Sequence, residues 1–181
     1  LRQYQLGMPS VLGGVVDGIG DLGIDAMYTF INDQLVVPGV ESHKMGKDPR
    51  IDVHIFQTKR STKFTETALE ALQLHLPELF DLDRDEAELM GRANPKILDA
   101  SRQFLTVCRE LAHHAPTFQF HIHYATRAEN VHPNTRARAQ TIELNAARIF
   151  SEASARVTFY TPRDLLHLAR ARETITKELV M

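Results

Sequence analysis

Residues 51–59 alternate in character: Ile51, Val53 and Ile55 are apolar, Asp52 and His54 polar. A period of two predicts a strand with one buried face. The same alternation runs through "TFQFHIHYAT" (117–126), where Phe118, Phe120, Ile122 and Tyr124 form the expected core face. "AMYTFI" (26–31) reads as another strand, "ND" (Asn32, Asp33) as a hairpin turn, and "QLVV" (34–37) as its return. Residues 38–50, with Pro38, Gly39, Gly46 and Pro49, read as a loop. Helical spacing appears from Thr65 to Leu82, where Leu69, Leu72, Leu76, Leu79 and Phe80 recur, with Pro77 predicting a kink or break. The acidic stretch 81–90 reads as a connector or a short solvated helix. Residues 94–114 predict a helix with Asn94 as cap and Pro95 at its first position. A helix over 134–154, a strand over 156–161 and a closing helix over 162–180 complete the pattern. No helix is predicted before residue 11. Alternation of strands and helices in the second half argues for an α/β domain with a mixed sheet.

Composition narrows the class. The chain has 181 residues, 43% hydrophobic and 24% charged, which suits one globular domain over residues 1–181. It starts at Leu1 and is read as a piece of a longer polypeptide. The one cysteine, Cys108, excludes an internal disulfide framework and fits a reducing, cytoplasmic compartment. No apolar run approaches the roughly 20 residues of a membrane helix, and no signal peptide is recognisable. The net charge of −2 is unevenly spread: residues 61–100 hold nine acids against four bases, and residues 101–181 hold eleven bases against seven acids. Ten of those eleven bases are Arg, whose planar fork suits phosphate as well as solvated helix faces.

Candidate chemistry begins in the glycine-rich stretch 11–23, "VLGGVVDGIGDLG". Gly18, Gly20 and Gly23 match G-x-G-x-x-G. The dinucleotide fingerprint needs a helix after that loop, and here a strand follows, with Asp21 and Asp25 placing negative charge near any pyrophosphate. The arrangement suits a divalent cation better. Mg²⁺ takes hard oxygen ligands and only one or two carboxylates, and Asp25 stands at the head of strand 26–31. Gln57 and Lys59 share a face of strand 51–59, about 7 Å apart. Gln57 offers a carbonyl oxygen as a second ligand. Lys59 offers a positive charge for an attacking water and a phosphate. Adjacent strands would bring Asp25, Gln57 and Lys59 to one site for metal-assisted phosphodiester hydrolysis. Asp17 and Asp21 read as turn residues able to help hold a second cation. Arg60 and Lys63 are candidates for contact with DNA phosphates. His113, His114, His121 and His123 lack the ligand spacing of a zinc site and read as ordinary strand and helix-end histidines.

"GDLGIDA" followed by "IFQTKR" and "FTETALEAL" resembles the D…QxK variant of the PD-(D/E)xK restriction-endonuclease-like superfamily. The nearest likeness is to Mrr-type endonucleases and the abortive-phage-infection group AIPR, over about residues 14–75. The resemblance implies a restriction-endonuclease-like mixed β-sheet core flanked by helices, a Mg²⁺- or Mn²⁺-dependent endodeoxyribonuclease, and defence against phage or foreign DNA. It assigns Asp25 as first metal ligand, Gln57 to the place where most members carry Asp or Glu, and Lys59 as catalytic lysine. Paired cuts on duplex DNA would favour a homodimer. Many members add a Glu from an N-terminal helix, which is not evident here. The alternative expectation is therefore a catalytically inactive, nuclease-like DNA-binding or regulatory module.

Overall fold

The computed structural model describes residues 4–39 and 46–170. A short helix α1 (Met8–Gly13) precedes a hairpin of β1 (Ala26–Ile31) and β2 (Gln34–Leu35). Then come β3 (Arg50–Thr58), α2 (Glu66–Leu79), α3 (Pro95–Leu111), β4 (Thr117–Ala125), α4 (Pro133–Ala146), β5 (Ala153–Tyr160) and α5 (Pro162–Arg170). The five strands form one mixed sheet in the order β2-β1-β3-β4-β5. β1 pairs antiparallel with both β2 and β3, whereas β3–β4 and β4–β5 are parallel. No helix among the described residues is long and apolar enough to cross a membrane.

Local chemistry explains most boundaries. Asn32 and Asp33 both take positive φ (48° and 67°), the mirror-image turn whose twist matches a two-residue hairpin. Asn94 caps α3, its side chain accepting from Ile97 N at 3.0 Å. Thr161 and Asp164 form a reciprocal cap on α5: Asp164 Oδ2 accepts from Thr161 N at 2.9 Å, and Asp164 N donates to Thr161 Oγ1 at 3.3 Å. Pro77 lies in the last turn of α2, so the helix carries through it and stops at Leu79. The acidic connector holds one 3₁₀ turn, Glu86–Glu88.

Three expectations shift. The return strand β2 is two residues long, not four. Helix α1 starts at Met8, before residue 11, where no helix is predicted; its sequence MPSVLG contains no acid. Helix α4 ends at Ala146, well short of 154, and β5 starts at Ala153. The reason is packing: Phe150 turns inward to stack on Phe118, with ring centroids 4.4 Å apart, and lies 5.7 Å from Phe104. Helix propensity alone cannot report that contact. The predicted continuation of α5 to 180 lies partly outside the described residues.

The two faces of the sheet differ. Ile51, Val53, Ile55, Phe118, Phe120, Ile122 and Tyr124 join Leu69, Leu72, Phe80, Phe104 and Ile142 of the helical layer in one continuous core. On the other face, Ala26, Tyr28 and Phe30 form a small separate cluster with Tyr4, Leu6 and Phe56. Beside it runs a polar chain. Tyr4 Oη lies 2.9 Å from His54 Nε2, His54 Nδ1 lies 3.0 Å from His123 Nε2, and His123 Nδ1 lies 3.1 Å from Tyr160 Oη. Every link is satisfied when both imidazoles take the same tautomer, whether both donate from Nδ1 and accept at Nε2 or both the reverse, because the tyrosine hydroxyl at each end can donate or accept. His121 reaches Asp52 Oδ1 at 2.9 Å, and Arg50 Nε donates to Asp52 Oδ2 at 2.7 Å. Burial raises the Asp52 pKa, but bonds from His121 and Arg50 outweigh it and hold the group below the usual carboxylate range. Burial, with repulsion from its histidine neighbours, takes His54 down to about 3, and His123 falls to about 4 for the same reasons.

These neutral histidines set a pH dependence. An unfolded histidine binds a proton near pH 6.5, and the folded ones refuse it until about 4 and about 3. Their contribution to stability is complete above about pH 6.5 and is lost as pH falls toward 3. In urea titrations between pH 6 and pH 4, two such groups should lower stability with a slope approaching about 2.7 kcal/mol per pH unit. His54→Phe should remove about half of that slope. A slope unchanged by the substitution would show that His54 titrates normally.

Candidate metal centre

The loop before β1 is built from its own acids and glycines. Asp21 folds it: Oδ1 accepts from Gly23 N at 2.8 Å and Oδ2 from Gly18 N at 3.3 Å. Gly23 takes φ +82°, and a Cβ there would lie 3.0 Å from Ala71 Cβ of α2 and 3.3 Å from the Gln57 amide. The capping residue of α3 holds the loop from the side, Asn94 N donating to Gly20 O (2.8 Å) and Asn94 Nδ2 to Val16 O (2.9 Å). A strand follows the glycines, as the rejection of a dinucleotide loop requires.

Asp25 is fixed on all sides. Its N–H donates to Phe56 O at 2.8 Å, and its carbonyl accepts from Val16 N and Asp17 N at 3.0 and 3.1 Å. Its carboxylate Oδ2 accepts from both Thr58 N (2.5 Å) and Thr58 Oγ1 (2.6 Å). Ala26 is the β1 residue paired with Phe56. The predicted adjacency of the two strands is therefore present, and the Asp25 carboxylate reaches Thr58, the residue between Gln57 and Lys59.

Gln57 is fully buried. Its amide is satisfied when the nitrogen donates to Gly23 O and the oxygen accepts from Lys59 Nζ at 3.0 Å. Gln57 and Lys59 thus do share a face, and they touch. The oxygen that the sequence offers to a cation is engaged with the lysine, so ligation by Gln57 requires giving that contact up. Lys59 is exposed, and its backbone N–H donates to Ala125 O at 2.9 Å, tying the end of β3 to the end of β4. Arg60 and Lys63 follow on the exposed turn after β3, outside the loop that holds Asp25.

Asp17, Asp21 and Asp25 each offer a carboxylate oxygen, and these atoms lie within 4.8 Å of one another. Hard oxygens at that spacing suit Mg²⁺ or Mn²⁺. Exposed acids of this kind also gather without a cation. Among the described residues no other set of His, Cys, Asp or Glu meets this spacing. His121 and His123 are engaged on the second face of the sheet, and His113 and His114 end a helical turn. The sequence reading missed Thr58 as the clamp on Asp25. Its signal was faint, a β-branched hydroxyl between Gln57 and Lys59, because a backbone donor carries no residue identity.

No family model matches the chain, and searches of curated proteins and of solved structures find no match.

Gly23→Ala tests the build of the loop. Strained φ and the two close contacts should cost about 1–3 kcal/mol in urea unfolding. Gly39→Ala, also at positive φ but with open space around it, should cost less. Equal losses would mean that packing against Ala71 and Gln57 contributes nothing.

Proposed function

We propose that the chain is a metal-dependent nuclease domain of the restriction-endonuclease-like type, hydrolysing DNA phosphodiester bonds in defence against phage or foreign DNA. The observation that carries this reading is that Asp25, at the start of β1, is bonded to Thr58, the residue between Gln57 and Lys59, whose side chains bond each other at the end of β3. The strand order also supports it: an antiparallel unit carries the acid at the start of β1 and the amide and ammonium at the end of β3, followed by a parallel β4.

The donors fit a Mg²⁺ or Mn²⁺ ion through Asp25, with Asp17 and Asp21 within reach. Such an ion, when bound, supplies charge neutralisation on the phosphate and a more acidic water. The chain's own residues do the rest. Thr58 holds Asp25 Oδ2 and leaves Oδ1 for coordination. Gln57 accepts from Lys59 Nζ and steadies it, so that the ammonium can position a water and stabilise charge developing on a phosphate oxygen. Arg60 and Lys63 supply contacts to the DNA backbone.

A second reading, a nuclease-like scaffold that binds DNA without cutting, draws on two observations. The Gln57 oxygen is already engaged by Lys59, and α1 contains no acid. Supercoiled plasmid incubated in Mg²⁺ or Mn²⁺, with a chelator control, separates the two. Nicking that falls at least 100-fold in Asp25→Ala and in Lys59→Ala is expected. Intact plasmid with wild type in both metals would favour the binding scaffold, and equal nicking by Lys59→Ala would remove Lys59 from the chemistry.

A further inference from the structure

The three parallel strands end at the same rim of the sheet, and antiparallel β1 starts there. The candidate metal centre therefore occupies one end of a continuous edge, and the loops after β3, β4 and β5 occupy the rest. Backbone bonds tie those loops together: Arg127 N donates to Ser61 O at 2.9 Å, and Thr126 N to Tyr160 O at 3.2 Å. Thr135 Oγ1, in the first turn of α4, donates to Phe64 O at 3.3 Å. Each of α2, α4 and α5 begins on this rim, so three helix N-termini add partial positive charge.

The loops that meet on this rim bring exposed bases together from separate segments of the chain. Arg50, Arg84, Arg92, Arg102 and Arg138 each lie within ion-pair distance of a carboxylate. Arg60, Lys63, Arg127, Arg136 and Arg163 are exposed, and none forms such a pair with another described residue. Besides Asp17, Asp21 and Asp25 at the metal centre, the rim acids are Glu66, Glu129 and Asp164, and the carboxylate of Asp164 is committed to Thr161 N and Oγ1 at 2.9 and 2.6 Å. Arg136 also lines a cavity of about 350 Å³ at the β5 edge with Arg156, Thr161 and Asp164. Unpaired, exposed guanidinium groups in a row are poor for stability and good for a polyanion.

We infer that this rim is a track for the sugar–phosphate backbone of a nucleic-acid duplex, running from Asp25 across the ends of β3, β4 and β5 to Arg163. It rests on the nuclease reading for its origin and on the charge distribution for its course. Three strand spacings make it about 14 Å long, which spans about four base pairs of a duplex. Lys59, Arg60 and Lys63 engage the backbone beside the reacting phosphate, and Arg127, Arg136 and Arg163 engage it further along. The chemistry recognised is the phosphodiester strand, so DNA and RNA duplexes are both required in the test.

The experiment is fluorescence anisotropy in EDTA, with labelled duplexes of about 20 base pairs and salt from about 50 to about 200 mM. Arg136→Gln/Arg163→Gln should flatten the slope of log affinity against log salt by about 1.8, since each lost phosphate contact removes about 0.9. Arg102→Gln/Arg138→Gln, which removes paired guanidinium groups from the helical layer, should leave the slope unchanged. Thermal melts of both variants check that the fold is kept, and Arg127→Gln gives an independent loss of about 0.9. Equal slopes for the two double variants, or no binding by wild type at about 50 mM salt, would overturn the track. A slope loss seen only with RNA would overturn DNA as its partner. Binding with the expected slope but no plasmid nicking would refute the nuclease reading and leave the track standing.

Discussion

Asp25 is held by the antiparallel pairing of β1 with β3, through Phe56 O on its amide and Thr58 on its carboxylate. That pairing cannot slip. A shift of one residue would turn either Met27 and Ile31 of β1 or Val53 and Ile55 of β3 out of the helical core, and bring Tyr28 and Phe30, or Asp52 and His54, into it. The geometry of the candidate site is thus inherited from hydrophobic packing some distance away. The glycine loop adds a second constraint: only a residue without Cβ lets the chain pass between Ala71 and the Gln57 amide on its way to Asp25.

The sheet separates two kinds of stabilisation. One face is apolar and sealed by α2, α3 and α4. The other holds two histidines neutral by burial in a hydrogen-bonded chain from Tyr4 to Tyr160. A partly buried polar chain is stabilising only while every member is satisfied. Protonating either histidine would convert an acceptor into a donor facing another donor. The second face is therefore the acid-sensitive part of the fold, and the candidate metal centre, at the rim, is spatially separate from it.

Charge is arranged by the same topology. Parallel strands deliver their following loops to one edge, so bases scattered over residues 60 to 163 collect beside three aspartates that are close in sequence. Elsewhere several arginines, Arg84, Arg92, Arg102 and Arg138 among them, lie beside carboxylates. A rim that leaves them unpaired gives up little stability, since exposed pairs contribute at most about 1 kcal/mol each, and it keeps their charge available to a ligand.

Much of this was legible in the chain itself. Alternation at 26–31, 51–59 and 117–126 determined the three central strands, because a strand's period of two is a local property; the burial of both faces of β1 and of most of β3, Asp52 and His54 included, came only with the assembled sheet. Asn94 and Pro95 marked the start of α3 for the same reason, and the adjacency expected of strands 26–31 and 51–59 is the one that brings Asp25 to the end of β3. What the sequence could not carry were contacts between distant segments. The end of α4 was decided by Phe150 reaching Phe118 and Phe104. The clamp on Asp25 comes largely from the backbone of Thr58, and a backbone N–H is common to every residue but proline. The engagement of Gln57 by Lys59, the chain of histidines from Tyr4 to Tyr160 and the gathering of unpaired bases on one rim all depend on strand order and register, which exist only once the sheet has assembled.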